Sequence, residues 1–311
     1  MFAQSERRGL SAVREQFGTI EEMQSALRST RITLDMIKWE HSVFALPFAL
    51  TGAVLAAGGL PSARVLLWIV VCMVSARSAA MAFNRLVDAR LDAENPRTAM
   101  RALPAGLLSS TFVAGFVVVS AAMFFLGAAM LNRLTLLLAP VALAVVLVYS
   151  YMKRVTRWSH LVLGLALGIA PSAAWIAVRG SLDWRIAVLS MAVLLWVAGF
   201  DVLYACQDYE HDCRAGLNSV PQAFGLSRAF WIARAMHFGM LVLLLWLVRL
   251  FALGPIAYAG IAVVGALLLY EHSIVSPKDM RRMNAAFFTL NGIISIAFFC
   301  FFAADVLLHK Q

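Results

Sequence analysis

The stretch Asn84-Arg85-Leu86-Val87-Asp88-Ala89-Arg90-Leu91-Asp92 closes a long apolar run, and its reading decides the rest. Its oxygen-bearing side chains recur at every fourth position, so on a helix Asn84, Asp88 and Asp92 share one face. Two carboxylates and an amide crowded at one helix end call for a cation among them. Mg2+ suits such a set, because it prefers hard oxygen ligands and accepts substrate phosphates as further ones. A second acidic pair, Asp208 and Asp212, has the same spacing and again follows an apolar run.

Around these motifs the chain is built for lipid. Its 311 residues are 62% hydrophobic and only 14% charged, with a mean hydropathy of +0.81. A soluble domain is far more polar, so the bilayer is the expected solvent and partner for most of the chain. The net charge of +9 is spread between apolar runs rather than gathered in a patch, which argues for membrane topology and against nucleic acid. Cys72, Cys206, Cys213 and Cys300 are scattered, with no CxxC or disulfide-framework spacing. Residues 1–36 mix charges with Ile20, Met23, Leu27 and Ile32, the pattern of an amphipathic segment on the cytoplasmic membrane surface. They hold no apolar stretch of the signal-peptide kind.

Residues 37–311 are expected to form an all-α, polytopic bundle of nine transmembrane helices. The apolar runs lie near 42–60, 64–87, 108–131, 134–152, 159–178, 185–206, 229–250, 253–271 and 284–307. Lys and Arg alternate in density between the connecting segments. With the N-terminus inside, the cytoplasmic segments hold Arg97, Arg101, Lys153, Arg154, Arg157 and Arg281 among many others, while the outer ones hold only Arg64, Arg133, Arg179, Arg185, Arg249 and Lys310. This places the N-terminus in the cytoplasm, the C-terminus outside, and both acidic motifs on the cytoplasmic side of a bacterial-type inner membrane.

A carboxylate at the centre of a lone membrane helix costs roughly 3 kcal/mol, so Asp88, Asp92, Asp208 and Asp212 together would cost about 12. Helix ends or a wet cavity relieve that cost. Two facing acidic clusters make a cage for divalent ions that clamp a polyphosphate. Arg97, Arg101, Lys153 and Arg154 stand ready for the remaining phosphate oxygens. Such a cage beside an apolar bundle suits a diphosphate with a long hydrocarbon tail. A different class, a cation or proton transporter, also uses intramembrane acids, but it spaces them along a path. Here only Asp183 and Asp305 approach the outer face.

Asn84, Asp88 and Asp92, with Arg97 and Leu103-Pro104-Ala105-Gly106, resemble the first motif of UbiA-type intramembrane prenyltransferases. Asp201-Val202-Leu203-Tyr204, continuing to Asp208 and Asp212, resembles their second, in which a Tyr precedes the acidic pair by four; Tyr151-Met152-Lys153-Arg154 also has a family counterpart. The resemblance runs from about Ile37 to the last helix. Ile37-Lys38-Trp39-Glu40-His41, continuing to Pro47, looks like the 4-hydroxybenzoate polyprenyltransferase subgroup, some members of which prenylate a dihydroxynaphthoate (1,4-dihydroxy-6-naphthoate) in a menaquinone route. The resemblance implies a Mg2+-dependent enzyme that joins a polyprenyl diphosphate to an aromatic acid. Asn84 and the four aspartates would hold the metal, and Arg97, Arg101, Lys153, Arg154 and Tyr204 would bind substrate. Asp208 is one candidate for the base, Arg154 for the acceptor's carboxylate. Trp39 and His41 suit an aromatic acid. Arg77 either snorkels or faces the cavity, and His211 is expected to point away from its acidic neighbours.

Overall fold

The structure, a computed structural model, describes residues 29–37 and 45–308. The expectations placed on residues 1–28 and on Lys38, Trp39, Glu40 and His41 lie outside the described residues. A short helix, α1, covers 29–37 and buries Thr33, Met36 and Ile37 while its other face is exposed. Its apolar side packs on Ala82 and Val113.

Helices α2 (Leu46–Ala57), α3 (Ala63–Glu94), α4 (Ser110–Leu131), α5 (Arg133–Val155), α6 (Ser159–Arg179) and α7 (Trp184–Ala205) follow. A 3-10 turn (Cys206–Asp208) and the short helices α8 (Tyr209–Ala215) and α9 (Val220–Phe224) then lead to α10 (Leu226–Leu250), α11 (Pro255–Ile274) and α12 (Asn291–Leu308). Among the described residues, eight helices are long and apolar enough to cross a membrane, and α2 adds a shorter apolar one. The expected Gly254-Pro255 turn does separate α10 from α11, with the proline in the first turn of α11.

Neighbouring helices pack in chain order and α12 returns to α2, so the bundle closes on itself. Its larger core joins Phe48, Trp196, Phe298 and Phe302 among aliphatic side chains. Outside, Val118, Leu137, Phe238 and Leu269 are largely exposed, a surface that only lipid solvates. Helices α6 and α7 approach closely because Gly164 and Gly168 have no side chains. A Cβ there would stand 2.4 Å from the Leu194 carbonyl oxygen and 2.7 Å from that of Ser190. This is the small-residue packing that membrane helices use when no hydrophobic force drives them together.

The end of the bundle opposite the acidic motifs is tied by polar caps. Asn132 caps α5, and its Nδ2 donates to the Ile176 and Ala177 carbonyls at 2.8 and 3.1 Å. Asp305, fully buried, accepts from the backbone N–H groups of Gly254 and Ala257 at 2.7 and 3.1 Å, where the helix dipole of α11 favours an anion. Asp183 caps α7, and hydrogen bonds from Arg185 hold its carboxyl below the usual range. Both acids at this end are thus helix caps rather than steps on an ion path.

Helix α3 has 32 residues, a length of about 48 Å against a hydrocarbon core of about 30 Å. Its acidic end therefore reaches past the apolar layer.

Candidate active site

Each acidic cluster is assembled locally and then joined to the other. On α3, Asn84 Nδ2 donates to Asp88 Oδ2 at 2.9 Å, the contact that the four-residue spacing predicts. Beyond Glu94 the chain turns back over the helix end. Thr98 Oγ1 donates to the Asp92 carbonyl at 3.0 Å, and Arg101 Nη1 lies 2.6 Å from Asp92 Oδ1. Arg85 Nη1 sits 3.5 Å from the other oxygen of Asp92. Arg154, at the end of α5, reaches Asp88 Oδ1 at 3.1 Å and the Val87 carbonyl at 2.7 Å.

The second cluster is locked to the first by Arg97. Its Nε and Nη2 grip the two oxygens of Asp208 at 2.8 and 2.6 Å, and Nη1 donates to the Tyr204 hydroxyl at 3.1 Å. The guanidinium also lies 5.4 Å from the centre of the Tyr204 ring, a cation–π contact. Asn95 adds a 3.4 Å contact to Asp208 Oδ1 and accepts from the Arg97 backbone N–H. Burial disfavours the charge on Arg97, but its hydrogen bonds to Asp208 outweigh that, so its pKa lies above the ordinary guanidinium value. Lys153 stands in the electrostatic field of Asp212, Asp201, Asp208 and Asp88.

All ten residues singled out from the sequence line one polar cavity of about 270 Å³. The arginines divide their work in a way that residue types did not reveal. Arg97 spends its fork on Asp208 and Tyr204, so it braces the site. Arg101 and Arg154 each use one terminal nitrogen on a carboxylate and keep other donors available. Asp208, expected as a base, has both oxygens engaged by Arg97. His211 lines the cavity too, contrary to the helical-wheel expectation. The four cysteines are free thiols.

A second, apolar cavity of about 360 Å³ lies between α3, α5 and α6. It shares Arg77, Met81, Asn84, Tyr149, Leu163 and Leu167 with the polar one, so head and tail chambers meet along one boundary.

The donor set fits Mg2+. Asp92 Oδ2 and Asp212 Oδ2 are buried oxygens with no hydrogen-bond partner among the described residues. Among the described residues no three carboxylate, imidazole or thiolate groups converge enough to enclose an ion by themselves. That also suits Mg2+, which takes one or two carboxylates and completes its shell with phosphate and water oxygens.

Residues 45–293 match the UbiA prenyltransferase family, which is most of the chain. The chain belongs to the UbiA prenyltransferase family. It is 32% identical over 246 residues to the 4-hydroxybenzoate octaprenyltransferase of Aliivibrio fischeri (strain MJ11), covering 78% of this chain and 85% of that one. Its fold resembles the apo structure of a UbiA homolog from Aeropyrum pernix K1, with a TM-score of 0.75 and 30% identity over 88% of this chain and 98% of that one. A UbiA homolog from Archaeoglobus fulgidus bound to DMAPP and Mg2+ shares the fold at 22% identity and a TM-score of 0.68, covering 88% of this chain and 98% of that one.

In this UbiA member several residues in or behind the cavity went unassigned in the sequence. Arg85 lies two turns before Asp92, so helical spacing was a usable signal. Asn95 and His160 gave none, because their partners come from distant segments. Asp201 stood in the second motif without a role. Arg77 is resolved: it faces the cavities, its Nε buried without a hydrogen-bond partner and no ion pair formed among the described residues.

Proposed function

We propose that this chain transfers a polyprenyl group from a polyprenyl diphosphate to the ring of 4-hydroxybenzoate, with the site opening to the cytoplasm and residues 1–36 lying on that face. The observation that carries this reading is the shared boundary between a cavity rich in carboxylates and arginines and a larger apolar one. A diphosphate and its hydrocarbon tail need these two environments side by side.

Asn84, Asp88, Asp92, Asp208 and Asp212 would hold Mg2+, which when bound neutralises diphosphate oxygens and eases the loss of diphosphate as a leaving group. Arg101, Arg154 and Lys153 complement the charge that grows on the diphosphate as the allylic C–O bond breaks. Arg97 holds Asp208 and Tyr204 in register with the first motif. The apolar walls, Met81, Leu163 and Leu167 among them, exclude water that would otherwise quench the allylic cation. Arg77, which forms no ion pair among the described residues, supplies a cation at the boundary, where the carboxylate of an aromatic acid would end if its ring faced the reacting carbon. Arg77 takes this role in place of Arg154, whose one engaged nitrogen holds Asp88 and Val87 and whose remaining donors serve the diphosphate.

The test supplies membranes containing the chain with Mg2+, a polyprenyl diphosphate and either 4-hydroxybenzoate or 1,4-dihydroxy-6-naphthoate. Prenylated 4-hydroxybenzoate and released diphosphate are expected. Product from the naphthoate alone would reassign the acceptor. No product from either, with an ion flux abolished by Asp88→Asn, would sink the enzyme reading.

A further inference from the structure

Asp88, Asp92, Asp201, Asp208 and Asp212 all line the polar cavity. Asp88, Asp92 and Asp208 are tied to arginines. Asp201 is held differently. It lies on α7 two turns before Asp208, and its Oδ2 is 2.7 Å from Nδ1 of His160 in the first turn of α6. His160 is fully buried, and its Nε2 accepts from the Val220 backbone N–H at 3.3 Å. With Nε2 engaged as an acceptor, the ring is neutral and its proton sits on Nδ1, donated to Asp201. One oxygen of Asp201 is thus held from behind. The other has no hydrogen bond among the described residues, and the side chain keeps 13% of its surface exposed to the cavity.

Its position matters as much as its partner. Asp201 is in electrostatic reach of Tyr149, which lines both cavities. The reacting carbon of a polyprenyl diphosphate is the junction of head and tail, so it lies at this boundary. A ring carbon that bonds there must then lose its hydrogen as a proton. A carboxylate that accepts one hydrogen bond from a neutral imidazole keeps an oxygen free to take a proton, whereas one gripped on both oxygens by a guanidinium does not.

We propose that Asp201 is the catalytic base that takes the ring proton after the carbon–carbon bond forms, and that His160 is the positioning residue that aims it. The assignment rests on the prenyl transfer described above. The allylic C–O bond breaks with its electron pair leaving on diphosphate, and a ring π pair ortho to the hydroxyl bonds to the allylic carbon. The C–H bond at that ring position then gives its proton to the free oxygen of Asp201, and its electrons restore the aromatic ring. Protonated Asp201 returns the proton to the released diphosphate or to water in the polar cavity.

The experiment uses membranes containing the full chain, Mg2+, a polyprenyl diphosphate and 4-hydroxybenzoate deuterated ortho to the hydroxyl. Wild type shows no primary isotope effect on kcat, because the proton leaves quickly. Asp201→Asn lowers kcat about 10²–10³-fold and acquires a primary ring isotope effect, while KM for the diphosphate changes little. His160→Ala gives the same signature in smaller measure. His160→Gln, whose amide also donates and accepts, recovers most of what alanine loses. Asp201→Glu keeps a carboxylate and makes product slowly, with the isotope effect, which separates a lost base from a chain that does not fold. The proposal is overturned by an Asp201→Asn chain that keeps its kcat, by a slowed one without a ring isotope effect, or by equal loss in Asp201→Glu and Asp201→Asn. Failure of the wild type to prenylate the acid would overturn the underlying reaction as well, and the two failures differ in which chain shows them.

Discussion

Replacing Arg97 with lysine asks whether the two acidic helix ends work as one braced unit. Arg97 grips both oxygens of Asp208 at 2.8 and 2.6 Å and donates to Tyr204 at 3.1 Å. Lysine brings a single point charge and cannot span the pair, so one charge-assisted bond and the Tyr204 bond are lost. A bond of the first kind contributes about 1.5–3 kcal/mol and one of the second about 1. The Arg97 side chain is 35% exposed and that of Asp208 9%, so the low end of the first range applies. The sum, about 2–3 kcal/mol, corresponds to a fall of about 30- to 150-fold in kcat/KM for the polyprenyl diphosphate if Asp208 is needed in place. Arg97→Ala leaves Asp208 with Asn95 alone at 3.4 Å and falls further. Initial rates of prenylated acid formation, measured across diphosphate and Mg2+ concentrations, read both. Wild-type kcat/KM in Arg97→Lys would refute the bracing argument.

Other substitutions probe separate links. Arg77→Leu should raise KM for the aromatic acid about 10- to 100-fold, the worth of one charge-assisted contact, and leave KM for the diphosphate nearly unchanged; equal rises in both constants would contradict the acceptor role. Gly164→Ala places a methyl group 2.4 Å from the Leu194 carbonyl oxygen, and separating α6 from α7 should cost about 1–3 kcal/mol, read as a lower Tm of the detergent-solubilised chain. An unaltered Tm would show that the close approach is not needed. Between α11 and α12, the Arg281 hydrogen bonds hold the half-exposed Asp279 carboxyl at a pKa of about 2. A depressed carboxylate stabilises the fold above its unfolded pKa and loses that contribution only as pH falls through the depressed value. Arg281→Gln should therefore move the Asp279 titration up toward the ordinary range, seen by NMR, and leave activity at neutral pH unaltered; loss of activity there would tie this turn to the site.

Much of the site was legible because it is periodic. Asn84, Asp88 and Asp92 announce a shared helix face, and α3 keeps that geometry to Glu94. Asp208 and Asp212 repeat the spacing, and the parity of the apolar runs brings both pairs to one end of the bundle. A wheel drawn on one helix sets His211 apart from Asp212, yet His211 also borders the cavity, whose outline several helices define together.

The sequence by itself determined that this chain lives in lipid, which residues end its helices with charge, and that those ends share a face of the membrane. These properties follow from local periodicity and from the cost of placing charge in hydrocarbon, both additive along the chain. Only the tertiary structure decided that Arg97 braces Asp208, that Arg77 stands at the seam of two chambers, and that His160 sits behind Asp201. Those pairings join segments far apart in the chain, and their geometry is set by how closely helices such as α6 and α7 pack, a property no single stretch of sequence carries.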